Sequence, residues 1–77
     1  MKNYIYVIYN NLSNRYESVM SFPSDAMALH RLSSNVDKKE YSLCRIGSIN
    51  IETGEVISEL PVRLIWNDDT IPEEIKK

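Results

Sequence analysis

Few side chains in this sequence could perform catalysis, and they are widely separated. The single histidine, His30, has no carboxylate three or four positions away, and the hydroxyls at that spacing, Ser33 and Ser34, are typical of a helix end. General acid–base and nucleophilic catalysis both need partner groups within hydrogen-bond reach of the reacting side chain. We therefore expect a surface histidine and a protein that is not an enzyme.

Cofactor and metal chemistry find equally few ligands. Cys44 is the only cysteine, so it has no partner for an intrachain disulfide and is typical of a small buried hydrophobic residue. Gly47 and Gly54 are the only glycines, which leaves no glycine-rich loop to bind phosphate. The one cluster of acidic oxygens lies near the C-terminus and is typical of a solvated tail: Asp68, Asp69, Glu73 and Glu74. We expect no metal and no cofactor.

Basic side chains provide the best candidate for a binding surface. The net charge of −2 argues against a strongly basic domain. However, the bases outnumber the acids six to four up to Asn50, and the excess of acidic residues is located after Asn50. A helix, the loop after it and the third strand would form a phosphate-attracting face if they converge. The candidate residues for nucleic-acid binding on that face are His30, Arg31, Lys38, Lys39 and Arg45.

Tyrosines supply the second half of a nucleic-acid signal. All five lie in predicted strands, where aromatic rings can stack on single-stranded bases without reading their sequence. The alternative is that these rings belong to the core or to a protein interface. The five are Tyr4, Tyr6, Tyr9, Tyr16 and Tyr41.

The elements that would position these residues follow from local patterns. Residues 3–10 and 15–22 predict a hairpin of two strands, because β-branched and aromatic residues alternate there around an Asn-rich turn. Ser24 after Pro23 predicts a helix start, and Ala26, Leu29, Leu32 and Val36, with Ala28 beside them, predict a helix of about ten to twelve residues. Residues 41–51 and 55–60 predict two more strands, and residues 62–66 a fifth.

Two glycines predict local irregularities in this second half. Gly47 inside a strand pattern predicts a bulge or a close backbone approach. Gly54 predicts a residue with positive φ in a hairpin loop over residues 52–54. The fold class is therefore α+β, an antiparallel sheet of four to five strands in the order β-β-α-β-β-β with one helix on one face. We expect one domain over residues 1–66 and a flexible acidic tail over residues 67–77.

Strand one also predicts self-association. It is apolar on both of its faces, and a single helix covers only one face of a sheet. We expect a homodimer that buries part of Tyr4, Tyr6 and Ile8. No segment approaches the roughly 20 apolar residues of a membrane span, and no apolar secretion signal follows the N-terminus. These patterns favour a cytoplasmic protein without a membrane partner.

The motifs resemble those of a known family. A strand ends at Phe22, a helix carries Ala28 and Arg31, residues 41–49 read YSLCRIGSI, and residues 52–56 read ETGEV. Over roughly residues 4–57 this order is similar to the small non-structural protein of gokushovirus-type phages, in which a Tyr-x-Leu strand meets a glycine and then an acidic Thr-Gly turn. The helix-to-strand loop is short for the family, and the segment from Leu60 onward departs from it.

The resemblance implies a phage DNA-binding accessory protein that acts in single-stranded DNA genome synthesis in the host cytoplasm. It transfers no binding residues. The alternative is a protein-interaction module that engages host or phage replication proteins and does not touch DNA. Charge geometry separates the two: basic residues that share one face favour DNA, whereas basic residues interleaved with acids favour the interaction module.

Overall fold

The structure is a computed structural model, and it describes residues 1–66. The predicted acidic tail of residues 67–77 lies outside the described residues. Four strands and one helix follow each other in the order β-β-α-β-β: β1 Lys2–Asn10, β2 Arg15–Phe22, α1 Asp25–Ser33, β3 Tyr41–Asn50 and β4 Val56–Leu64. The α+β class with a four-stranded antiparallel sheet and one short helix agrees with the prediction.

The β1–β2 turn is organised by asparagine side chains. The Asn10 side-chain oxygen accepts hydrogen bonds from the backbone N–H groups of Leu12 at 2.9 Å and Ser13 at 3.1 Å. Asn14 then adopts φ 59, in the left-handed region that asparagine tolerates better than most residues. The Asn-rich segment therefore forms the turn that its composition predicted, and β2 spans the predicted residues.

Helix α1 begins at the predicted cap and is shorter than predicted. The Ser24 hydroxyl accepts a hydrogen bond from the Met27 N–H at 3.2 Å, which satisfies one free amide of the first turn. The helix ends at Ser33 after nine residues. Val36 therefore lies beyond the helix, and the predicted inward stripe needs correction. Ala28 and Leu29 are the buried helix residues.

The strands pair in the order β2-β1-β3-β4, with every pair antiparallel. The two central strands, β1 and β3, contain the buried sheet residues, whereas β2 and β4 are the edge strands. In β4, Leu64 is partly buried and the other residues are exposed. The sheet is thus best protected at its centre and most open along β4.

Gly47 lies at an irregularity of the sheet, as the sequence predicted. The β1–β3 register shifts between Ile5 and Tyr6, and the β3–β4 register shifts between Arg45 and Gly47. A side chain at Gly47 would place its Cβ 2.5 Å from the carbonyl oxygen of Ile57, closer than two such atoms can approach. Gly54 has φ 82, which confirms its predicted left-handed conformation in the β3–β4 loop.

The predicted fifth strand is part of β4. Ser58 pairs with Gly47 and Val62 pairs with Arg45, so the β4 register shifts between them and leaves Pro61 in the irregular stretch. A proline has no N–H to donate to a ladder and is tolerated at such irregularities of an edge strand. β4 therefore continues past Pro61 with a shifted register.

The core lies between α1 and one face of the sheet. Its buried members are Tyr6, Ile8, Ala28, Leu29 and Leu43. Tyr6 is completely buried and Ile8 is 6% exposed. Tyr4 is partly buried and packs against the same cluster.

This placement corrects the predicted dimer face. Tyr4, Tyr6 and Ile8 lie on the side of the sheet that the helix of their own chain covers, so Tyr6 and Ile8 offer no surface to another molecule. Because successive strand residues point to opposite faces, the other side of β1 carries Ile5, Val7 and Tyr9, of which Val7 is 4% exposed and Ile5 and Tyr9 are partly buried. The dimer itself stays a prediction.

Candidate nucleic-acid interface

We use the name open face for the side of the sheet opposite α1. Strand pairing defines it row by row, since directly paired residues point to the same side. The central row runs across all four strands through Val19, Val7, Cys44 and Arg63. The remaining residues of the open face are Asn3, Ile5, Tyr9, Tyr16, Ser21, Ser42, Gly47, Ile49, Val56 and Ser58.

The open face is apolar and carries a single charged side chain. Arg63 is the only ionic residue that the register places there among residues 1–66, and no carboxylate accompanies it. The centre of the face is buried, with Val7 4% and Cys44 6% exposed, so its accessible apolar and charged groups lie on the edge strands, at Val19 and Arg63. Such a surface suits ring-shaped or apolar ligands and favours a negative group near Arg63.

Two tyrosines form the aromatic part of the open face. Tyr9 pairs with Tyr16 across β1 and β2, and their ring centroids lie 4.8 Å apart with the planes tilted by 59°. The Tyr9 hydroxyl donates a hydrogen bond to the Asn14 side-chain oxygen at 3.1 Å, which fixes the ring. Tyr16 is 56% exposed, so one ring of the pair is held in place and the other is accessible.

Asn11 connects this aromatic end of the face to two basic residues. Its side-chain oxygen accepts hydrogen bonds from the Ser42 hydroxyl at 3.1 Å and from the Arg63 guanidinium at 3.5 Å. Its side-chain nitrogen donates to the Lys39 backbone carbonyl at 3.4 Å, and its backbone N–H donates to the Glu40 carbonyl at 2.7 Å. The β1–β2 turn, the loop before β3 and β4 therefore meet beside the tyrosine pair.

The predicted basic residues are not gathered on one surface. His30 and Arg31 are exposed in the last turn of α1, on the helix-covered side of the sheet. Lys38 and Lys39 lie in the loop that precedes β3, where the Lys39 N–H donates to the Asp37 carboxylate at 2.9 Å. Lys38 is partly buried and Lys39 is exposed. Of the predicted set, Lys39 is the residue that contacts the Asn11 junction.

Arg45 is committed to a structural network on the helix side. Its guanidinium donates to Asp25 at 2.5 Å and to Glu59 at 2.7 Å, and it lies 5.5 Å from the Tyr4 ring centroid. The hydrogen bond to Glu59 and the charges of both carboxylates raise the pKa of Arg45. Two acids thus neutralise this cation, which removes it from the predicted basic face.

The same network explains the burial of a tyrosine hydroxyl in the core. The Tyr6 hydroxyl donates to the other oxygen of the Asp25 carboxylate at 2.7 Å. Burial and this hydrogen bond raise the pKa of Tyr6 well above its ordinary value. Asp25 therefore joins β1 to β3 at the start of α1, and Arg45 extends the connection to β4.

Cys44 lies in the central row of the open face and is 6% exposed. Burial raises the pKa of its thiol, against a smaller opposing effect of the Arg63 charge. A thiol that keeps its proton is a poor nucleophile and a poor metal ligand. Its position therefore supports a packing role.

The sequence identified the tyrosines but not Arg63. Tyr9 and Tyr16 were two of five candidates, and the alternation of strand residues did not show which of the five faced outward. Arg63 follows Pro61, where the register of β4 shifts, so its side could not be counted from Val56. The available signal was the spacing of Arg63 from Leu64, since neighbouring strand residues must point to opposite sides.

No protein-family model matches this chain, and neither a curated protein nor a solved structure matches it. Within residues 1–66, no three His, Cys, Asp or Glu side chains are grouped closely enough to hold a metal ion. No helix in this part of the chain has the length and hydropathy that a membrane span requires. The fold and surface define a small α+β domain with an open antiparallel sheet.

Proposed function

We propose that this chain binds single-stranded DNA across the open face, with Tyr16 and Tyr9 stacking on bases and Arg63 and Lys39 contacting phosphates. The observation that carries the proposal is the Tyr9–Tyr16 pair, with Tyr16 exposed, on a sheet face whose one ionic side chain among residues 1–66 is Arg63. Aromatic rings on an open sheet recognise unstacked bases, which single strands offer and duplexes do not. The role is binding without catalysis.

The family resemblance gives this proposal a setting. A small phage protein of the gokushovirus type would act as a DNA-binding accessory during single-stranded genome synthesis. Sequence-tolerant binding fits that role, because a protein that coats a growing strand must accept every base. Stacking on tyrosine provides such tolerance, since each base has an aromatic face of its own.

The experiment is a fluorescence-anisotropy titration of a labelled oligonucleotide of about 20 nucleotides across a salt series. Each single-strand phosphate that the protein neutralises contributes a slope of about −0.7 to log affinity against log salt. Arg63→Ala should flatten the slope by about that amount. Tyr16→Ala should weaken binding by about 1–3 kcal/mol and leave the slope almost unchanged.

Arg31→Ala is the matched control for the loss of one exposed cation. Arg31 lies on the helix, on the other side of the sheet, so its replacement should leave both affinity and slope close to those of the unchanged chain. A larger loss with Arg31→Ala than with Arg63→Ala would transfer the site to the helix surface. Absence of binding at 50 mM salt and tens of micromolar protein would end the DNA proposal.

A protein-interaction module is the second candidate, and Arg45 favours it. Basic residues interleaved with acids favour an interaction module over DNA binding. Asp25 and Glu59 both bind Arg45 directly, so this member of the predicted basic face is interleaved with acids. An apolar open face with one charge is also compatible with a protein partner. This module would engage replication proteins of the phage or its host, and it would retain its partner in high salt, where single-stranded DNA dissociates.

A further inference from the structure

Exposed aliphatic side chains are concentrated in and just after β4. Leu60 is 86% exposed and Ile65 is 81% exposed, although leucine and isoleucine are among the most frequently buried residue types. The other large exposed hydrophobic residues are distributed through the rest of the described chain. We use the name β4 strip for Val56, Ile57, Leu60, Val62 and Ile65.

The backbone of β4 is as open as its side chains. β4 is an edge strand, and within residues 1–66 no other strand pairs with its outer side. An unpaired edge presents a row of N–H and C=O groups that can accept another strand. Edges are commonly protected by lysine, by proline, by a bulge or by inward-facing charges. β4 has Pro61 at its register shift, but it contains no lysine, its one acid, Glu59, is bound to Arg45, and every other residue of the strand keeps a backbone N–H.

We propose that a second copy of this chain binds along β4, with the two β4 strands antiparallel about a twofold axis. An antiparallel edge pairing is self-complementary, because each strand offers the same donors and acceptors to the other. β4 carries one acid and one base, Glu59 and Arg63, so two edges meet without net charge although the chain carries −2.

Exposed apolar side chains flank this edge on both sides of the sheet. The pairing of β4 with β3 places Val56 on the open face and Ile57 and Val62 on the helix side, and each of the three is at least 40% exposed. A strand that pairs with the outer edge of β4 brings its own side chains beside those of β4 on both faces. A second copy would therefore cover apolar surface on both sides of the edge.

This dimer would join the two open faces. Pairing at the edge extends the sheet from four to eight strands, and a twofold axis perpendicular to the sheet keeps both open faces on the same side. Both helices then cover the opposite side. The inference concerns assembly alone and does not rest on the proposed DNA binding.

The test is the solution mass measured by light scattering after size-exclusion chromatography, over a concentration series up to about 100 micromolar. The unchanged chain should give twice the chain mass of 9.0 kDa. Leu60→Lys should give the monomer mass, because a lysine at an edge opposes strand pairing. Leu60 is so exposed that this change removes little packing within the chain.

Leu12→Lys is the matched control, since Leu12 is 75% exposed and lies in the β1–β2 turn, outside β4. It should remain dimeric. If Leu60→Lys does not fold, Ile65→Lys replaces it, because Ile65 lies after the strand. Hydrogen exchange adds a second readout: β4 amides should exchange at least tenfold more slowly at dimer-forming concentrations.

A monomer at every concentration would overturn the inference. A monomeric Leu12→Lys variant would do the same. So would a dimer that persists in both Leu60→Lys and Ile65→Lys, or hydrogen exchange in β4 that does not depend on concentration. Masses that grow beyond two chains would also contradict it, because a twofold edge contact uses up the β4 edge.

Discussion

Asp25 connects the start of the helix to the sheet through two side-chain hydrogen bonds. It lies in the first turn of α1, where a carboxylate interacts favourably with the helix dipole. One of its oxygens accepts from the Tyr6 hydroxyl and the other from the Arg45 guanidinium. The residue therefore connects the start of the helix to strands β1 and β3.

Tyr6→Phe tests the polar part of this network. The variant keeps the buried ring and removes the hydrogen bond to Asp25, and hydrogen bonds to charged groups contribute about 1.5–3 kcal/mol. Arg45 continues to bind Asp25 in the variant, so we expect a loss near the lower end, about 1.5 kcal/mol at pH 7. Urea unfolding measures this loss. Tyr16→Phe, which removes a hydroxyl from an exposed ring, is the control and should change stability by less than about 0.5 kcal/mol.

The stabilities of the unchanged chain and of Tyr6→Phe should also depend differently on alkaline pH. The folded-state pKa of Tyr6 is raised, so its contribution to stability is complete below the pKa of an unfolded tyrosine, about 10. Above that pH the unfolded chain loses the proton while the folded chain keeps it, and stability falls. Tyr6→Phe lacks this ionisation, so its stability deficit should narrow between pH 10 and 11. A deficit that is constant or widens over this range would contradict the raised pKa.

At the scale of elements, features set by local chemistry were predictable. Ser24 caps the helix because its side chain can accept from a free amide, and Asn14 and Gly54 take positive φ because they tolerate it best. The side of the sheet that each residue faces was not predictable. The strand registers shift at three places, in β2, at Gly47 and around Pro61. Each shift changes which residues of the strand point to a given face of the sheet.

Strand β1 shows a second limit of sequence reasoning. Its residues are apolar on both sides, so hydrophobicity alone could not tell which side α1 would cover. In the structure α1 covers the side that carries Tyr6, whose hydroxyl binds Asp25 at the start of the helix, and the opposite side of β1 carries Ile5 and Val7. The candidate site was therefore half predictable: stacking tyrosines were expected, but only the helix position identifies Tyr9 and Tyr16 as the pair on the open face and Tyr16 as its exposed member.

Gly54→Val tests the β3–β4 hairpin. Gly54 has φ 82, and a β-branched residue resists this conformation strongly. No atom lies within 4 Å of the position of an added Cβ, so the cost that we expect is backbone strain at positive φ. We expect a loss of about 1–2 kcal/mol, read from urea unfolding or as a lower thermal midpoint. Gly54→Asn is the control and should lose less, because asparagine tolerates positive φ. Equal midpoints for the valine variant and the unchanged chain would show that the loop adopts another conformation.

At the scale of the whole molecule, the sheet separates structural from binding surfaces. The helix side holds the core and the Asp25–Arg45–Glu59 network, in which Arg45 is paired with two carboxylates. The open face holds the tyrosine pair and Arg63. The β4 edge borders both sides. An assembly through that edge would leave the open face accessible, whereas an assembly through the open face would cover the proposed DNA site.

This geometry makes a prediction that links assembly to binding. If Arg63 and Lys39 each contact a phosphate, one chain should give a salt slope of about −1.4 on single strands, and an edge-paired dimer about −2.8 on one oligonucleotide that spans both open faces. Leu60→Lys should therefore halve the slope while retaining all the proposed DNA contacts. Shortening the oligonucleotide to about 6 nucleotides should halve the slope of the unchanged chain, since so short a strand cannot reach both faces. If Leu60→Lys is monomeric but keeps the full slope, the two open faces do not act on the same strand, and the dimer and the DNA site would be independent properties of the chain.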